Sequence, residues 1–244
     1  MTRLLAHAIT RRAASGPDIG LRGQPLEQIA GGELELWATR WDAEPSLSRD
    51  DAFAHHDLVV ALCDAGACLP IRFGTWLGDE GAARRSLESE QERFVAAVDR
   101  LEDRREVAVT LLWPEADTAI GTGRAEAGDR EPDATAGSGG PGRAFLEGRR
   151  ATHVGSDERR REAEALASRL VGELAVDQAD VRHETCPSSE VALSMSLLAG
   201  KDEADALKAR AMTAVAALPG VRGVVSGPWP PYTFTEELGG RRGG

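Results

Sequence analysis

Between Glu115 and Gly142 the chain carries seven glycines and one large aliphatic residue, Ile120, and it closes on Gly137-Ser138-Gly139-Gly140-Pro141-Gly142. A stretch with so little to bury does not recover the entropy lost on ordering it. Residues 115–142 therefore read as a flexible Gly-rich linker. The chain is expected to divide into an N-terminal α+β domain, 1–114, and a C-terminal α+β domain, 143–238, both of ordinary small-domain size. Residues 239–244, with Arg241-Arg242 set among glycines, read as a disordered tail.

Charge narrows the partners. With 29 Lys+Arg against 40 Asp+Glu the net charge is −11, which argues against nucleic acid, whose binders present a basic stripe. Three cysteines are too few and odd in number for a disulfide framework. Near the start, Arg11-Arg12 interrupt the apolar sequence before a secretory segment could form. No apolar run approaches the ~18 residues of a membrane span, so a lipid membrane is not an expected partner. The expectation is a cytoplasmic protein, free or attached to a larger body.

Periodicity places the elements. Leu4–Ile9 and Glu33–Trp41 read as strands, the second alternating with Leu34, Leu36 and Ala38 on one face and Glu33, Glu35, Trp37 and Thr39 on the other. Ser48 caps a helix with Asp50 and Asp51 in its first turn. Phe53, His56, Val60 and Cys63 share one face of it, Val59 and Leu62 flanking. Ala67–Phe73 is a short strand interrupted by Pro70. One helix is expected from Asp79 to about Asp103, with the stripe Leu87, Phe94, Val95, Val98 and Leu101. A strand at Val107–Trp113 closes the first block. The second opens with a helix from Arg143 to Val176, with a break expected at Gly155-Ser156. Strands follow at Asp180–Cys186 and Glu190–Leu198, then a helix at Asp202–Ala217 and a strand at Val221–Ser226. Antiparallel strands with two helices per block give an α+β fold of two small, ferredoxin-like domains.

No catalytic constellation emerges. Cys63 and Cys68 lie near His55-His56, but their spacing fits no zinc pattern, and buried inert thiols account for them. His56 reads as a packed, hydrogen-bonded core histidine. No Gly-x-Ser-x-Gly elbow or phosphate loop is present. Arg159-Arg160-Arg161 sits among Asp157, Glu158, Glu162 and Glu164 as a solvated helix face. No enzyme activity, metal or cofactor is expected.

Two segments stand apart. Leu69-Pro70-Ile71-Arg72-Phe73-Gly74-Thr75 sets an arginine inside an apolar strand, where it either faces solvent at an interface or pairs with a carboxylate. Gly227-Pro228-Trp229-Pro230-Pro231-Tyr232-Thr233-Phe234 is a rigid hook that packs on its own domain or docks a partner.

These segments, together with His56-x-x-Val59-Val60 and Gly142-Arg143-Ala144-Phe145-Leu146-x-x-Arg149, resemble the gas vesicle protein family GvpL/GvpF. The chain departs from that pattern at Thr233, where serine is usual, and in its long glycine-rich linker. The resemblance implies a two-domain, non-enzymatic accessory or minor structural protein of gas vesicles. Its implied partners are the hydrophobic major shell protein, kept from premature aggregation, and other accessory proteins. The residues carrying the resemblance are the candidate partner-binding or structural set: His56, Leu69, Pro70, Arg72, Phe73, Gly74, Arg143, Gly227, Pro228, Trp229, Pro230, Pro231 and Tyr232. The competing reading is a small-molecule enzyme or regulator using the inter-domain cleft.

Overall fold

The computed structural model describes residues 2–114 and 141–238, with the backbone alone over 141–156 and 236–238. The stretch 115–140 and the tail 239–244, read above as linker and disordered end, lie outside the described residues.

The first sheet is built around β1 (Arg3–Arg11), whose residues Leu4 to Thr10 are all buried. It pairs antiparallel with β3 (Leu34–Trp41), which pairs in turn with β2 (Leu26–Gly31). On its other edge β1 takes β4 (Cys68–Pro70) and β5 (Trp76–Leu77). Side chains alternate along β3 as the sequence requires, but both faces are covered. Leu34, Leu36 and Ala38 enter one core and Trp37 another. Trp37 is fully buried, and its indole N–H donates to Thr10 Oγ1 at 2.8 Å.

α1 (Arg49–Ala65) covers the Trp37 face. Its capping box is complete: Ser48 Oγ accepts from the Asp51 N–H, and Asp51 accepts from the Ser48 N–H. Arg22 also donates to the Asp51 carboxylate and holds its pKa well below the usual range. The buried face of α1 differs from the expected one. His55, Leu58, Val59, Leu62 and Cys63 point inward, while Phe53 is 56% exposed and His56 half-buried. Both stripes have helical spacing, so periodicity alone does not choose between them.

The opposite face packs on α2 (Glu80–Ser89) and α3 (Gln91–Arg100), two helices where one was expected. Asp79 caps α2 through a 2.7 Å bond from the Ala82 N–H. At the junction the Ser89 hydroxyl donates to the Ser86 carbonyl, and Glu90 leaves helical geometry. Such back-bonding bends helices. The apolar stripe Leu87, Phe94, Val98, Leu101 runs unbroken across the kink, so the spacing gives no sign of it.

The second sheet has the order β7-β8-β6-β9, all antiparallel. Its strands are β6 (Arg104–Leu112), β7 (Val181–Thr185), β8 (Val191–Gly200) and β9 (Arg222–Trp229). α4 (Pro141–Leu174) and α5 (Ala204–Ala216) pack on one face, against Val107, Val109, Leu111, Leu193, Met195 and Leu197. The backbone of α4 stays helical through Gly155-Ser156, where a break was expected.

The connectivity β6-α4-β7-β8-α5-β9 is a ferredoxin-like, split βαβ arrangement. β6, which the sequence reading set at the close of the N-terminal block, is therefore the first strand of this second unit and sits inside its sheet. In the sequence, residues 115–140 fall between β6 and α4. Neighbouring cores also meet: Leu198 of β8 and Phe234 belong to the cluster formed by β1, β3, α2 and α3.

Candidate functional site

The segments that stand apart in the sequence converge at the junction of the two sheets. Leu69 and Pro70 are buried in β4 opposite Ile9 and Ala8. Arg72 is not inside a strand, as expected, but exposed in the turn that follows β4. That turn closes through the Thr75 N–H and hydroxyl, both donating to the Arg72 carbonyl. Gly74 takes φ +82° at its third position, where a type II turn requires a left-handed residue. Phe73 lays its half-buried ring 5.3 Å from that of His55.

The C-terminal hook arrives from the other half. Gly227, at φ +108°, precedes a cis peptide to Pro228, and a Cβ there would stand 2.6 Å from the Glu106 carbonyl oxygen. Glycine is thus fixed by both conformation and space. Lys208 of α5 donates to the Gly227 carbonyl at 2.6 Å. Trp229 ends β9 and is 38% exposed, with its indole N–H donating to Ser226 Oγ at 3.1 Å. The His56 ring stands edge-on to Trp229 at 5.1 Å and 6.3 Å from Tyr232. Pro230 and Pro231 are buried. Tyr232 packs half-buried against the core under α1, and burial raises its hydroxyl pKa. Arg143 falls in the first turn of α4, and its side chain lies outside the described residues.

Sequence reasoning missed the polar pins of this junction. Glu106, 5% exposed, accepts from Ser196 Oγ at 2.7 Å, from the Thr233 hydroxyl at 2.7 Å and from the Thr233 N–H at 2.9 Å. Arg105, 8% exposed, donates to the Cys63 carbonyl and the Asp64 carboxylate at the end of α1, and Lys201 reaches the same carboxylate at 2.9 Å. A signal did exist: Arg104-Arg105-Glu106 abuts an apolar strand core, and charges at such positions need partners.

Chemically the junction is saturated. Glu106, Arg105 and Asp64 are each engaged by structural partners. Cys63 and Cys68 are buried, and desolvation pushes the Cys68 thiol well up. Among the described residues, no three His, Cys, Asp or Glu side chains gather as metal ligands. A cavity of about 360 Å³, lined by Arg104, Asp180, Leu198, Glu203 and Arg210 among others, lies within the second unit, away from the His56–Trp229 contact. What the junction offers outward is aromatic surface, from Phe53, one helical turn from His56, to Trp229.

Two antiparallel α+β units joined by a C-terminal proline-aromatic hook define the class of fold. The crystal structure of the gas vesicle protein GvpF from Anabaena sp. PCC7120 shares it, with a TM-score of 0.70 over 97% of each chain at 15% identity. That of GvpF from Microcystis aeruginosa gives 0.68 at 14% identity, covering 96% of this chain and 99% of that one. Gas vesicle protein L from Streptomyces sp. (strain CB03234) is 29% identical over 236 residues, covering 88% of this chain and 85% of its own. The family of gas vesicle synthesis proteins GvpL/GvpF matches residues 4–236, and the chain belongs to it.

Proposed function

We propose that this protein acts in gas vesicle assembly as a non-enzymatic escort that binds the hydrophobic major shell protein and keeps it from aggregating. Membership of the GvpL/GvpF family carries the reading. Two physical features support it. A net charge of −11 would keep a complex with an apolar subunit dispersed, and the Phe53–His56–Trp229 ridge offers aromatic surface for docking. Other gas vesicle accessory proteins are the further partners expected. Its place is the cytoplasm and the vesicle; among the described residues no helix is long and apolar enough to cross a membrane.

The test is capture of co-expressed shell protein, with vesicles counted in a deletion strain complemented by each variant. Trp229→Ala is expected to cost only about 1–2 kcal/mol, below the ~3–5 of a fully buried aromatic ring, because more than a third of Trp229 is exposed. Capture and vesicle number should nevertheless fall severalfold. Unchanged capture by both Trp229→Ala and Phe53→Ala would remove the ridge as the docking surface. Vesicles of normal number and shape without the protein would overturn the assembly role.

A further inference from the structure

His7 interrupts the pairing of β1 with β3: Ala6 lies opposite Ala38 and Ala8 opposite Trp37, so His7 is the extra residue of a bulge. Bulges re-aim side chains, and this one turns a fully buried imidazole toward α1. There His7 Nδ1 lies 2.9 Å from His55 Nδ1, and His7 Nε2 lies 2.6 Å from Thr39 Oγ1. His55, 2% exposed, reaches the Ile71 carbonyl with Nε2 at 3.0 Å. The partners dictate the protons. A carbonyl only accepts, so His55 Nε2 carries hydrogen and its Nδ1 accepts; His7 Nδ1–H then donates, and His7 Nε2 accepts from the Thr39 hydroxyl. The His7 carbonyl accepts from the Ile71 N–H at 2.9 Å, so both backbone polar groups of Ile71 are held by this pair.

We propose that His7 and His55 form an acid-released latch that fastens the Ile71–Gly74 turn and α1 onto the first sheet. A first proton at His55 Nδ1 obliges His7 to move its own hydrogen to Nε2 and Thr39 to turn and accept it, and a second proton on the pair sets two donors face to face. No carboxylate compensates: among the described residues neither ring has an acidic side chain within ion-pairing distance. Around the pair, α1 contributes Asp51, engaged by Arg22 and Ser48, and His56, whose charge opposes that of His55. α1 and β4 contribute the buried thiols Cys63 and Cys68, the turn contributes exposed Arg72, and the C-terminal segment contributes Tyr232.

Burial, with repulsion from His55, lowers His7 from 6.5 to about 3, and burial lowers His55 to about 4. Both folded values lie below the unfolded one. The opened form therefore binds more protons below about pH 6.5, and the latch is whole above that pH and weakens as pH falls toward 4. Carboxylates act in a lower window, because depressed groups such as Asp51 lose their contribution only below about pH 4.

Hydrogen exchange of the full chain, corrected for intrinsic rate, tests this without reference to shell binding. From about pH 7 to about pH 5, protection of α1 and of residues 69–75 should fall by roughly 10²–10³-fold, two unpaired titrations. The double variant His7→Gln/His55→Gln should lose the step. Persistence of the step in that variant, or constant protection of α1 in the parent chain, overturns the proposal. Should the double variant not fold, NMR titration of the five histidines of the parent chain decides. Two rings silent down to about pH 5 support the latch, and all five titrating near 6.5 refute it.

Discussion

Phe234→Ala is expected to destabilise the whole chain by about 3–5 kcal/mol, the range for truncating a buried phenylalanine. The ring is 5% exposed, and although it comes from the last described turn of the chain it is buried in the core of the first sheet, with Phe94, Val98 and Leu198. The Arg182 guanidinium stands 5.4 Å from its centroid and adds a contact worth about 0.5–1 kcal/mol at a partly exposed site. Truncation leaves a cavity where the two units meet. Urea unfolding followed by circular dichroism should therefore show one transition moved to lower denaturant, not the loss of the second unit alone. Phe234→Leu should recover most of the difference. A loss below about 1 kcal/mol for Phe234→Ala would mean that the ring is not seated there.

That contact also shows where sequence reasoning reaches and where it stops. The α+β class was legible because the apolar run of β1, the alternation in β3, the cap at Ser48 and the helix start at Asp79 are local signals, and each lies where its chemistry places it. The family segments were legible for a different reason. A short strand interrupted by Pro70 and an octet with three prolines have few structural solutions, and the octet meets α1 where Trp229 and Tyr232 face His56. What local pattern did not fix was which surface each element faces. α1 carries two apolar stripes a residue apart, and the bulged sheet beneath it selects the one containing His55. The strand at Arg104–Leu112 precedes a glycine-rich stretch, so proximity assigned it backward. Pairing with β8 and β9 assigns it forward, because a split βαβ unit needs its first strand inside the sheet. His7 escaped notice since nothing in Leu4–Ile9 marks a bulge.

Glu106 was missed for a related reason, and its removal should be felt nearly as strongly as that of Phe234. Glu106→Ala leaves the half-buried Thr233 N–H without its acceptor and strips the Ser196 and Thr233 hydroxyls of theirs. Each unsatisfied buried group costs about 1–3 kcal/mol. The two hydroxyls lie 3.2 Å apart and can satisfy one another in part, so a total of about 3–4 kcal/mol is expected. Glu106→Gln separates hydrogen bonding from charge. Its carbonyl oxygen can keep the Thr233 N–H while its amide donates to the hydroxyls, which rotate to accept. The glutamine variant should thus lie within about 1–2 kcal/mol of the parent. Thr233→Val, which keeps the backbone donor and removes the hydroxyl, should fall between the two. Coupling between Thr233→Val and Glu106→Ala is then expected to be strongly non-additive, as it is for groups sharing one hydrogen-bond cluster. Additive losses in that cycle, or a glutamine variant as unstable as the alanine one, would show that Glu106 acts on the fold by some route other than pinning the hook.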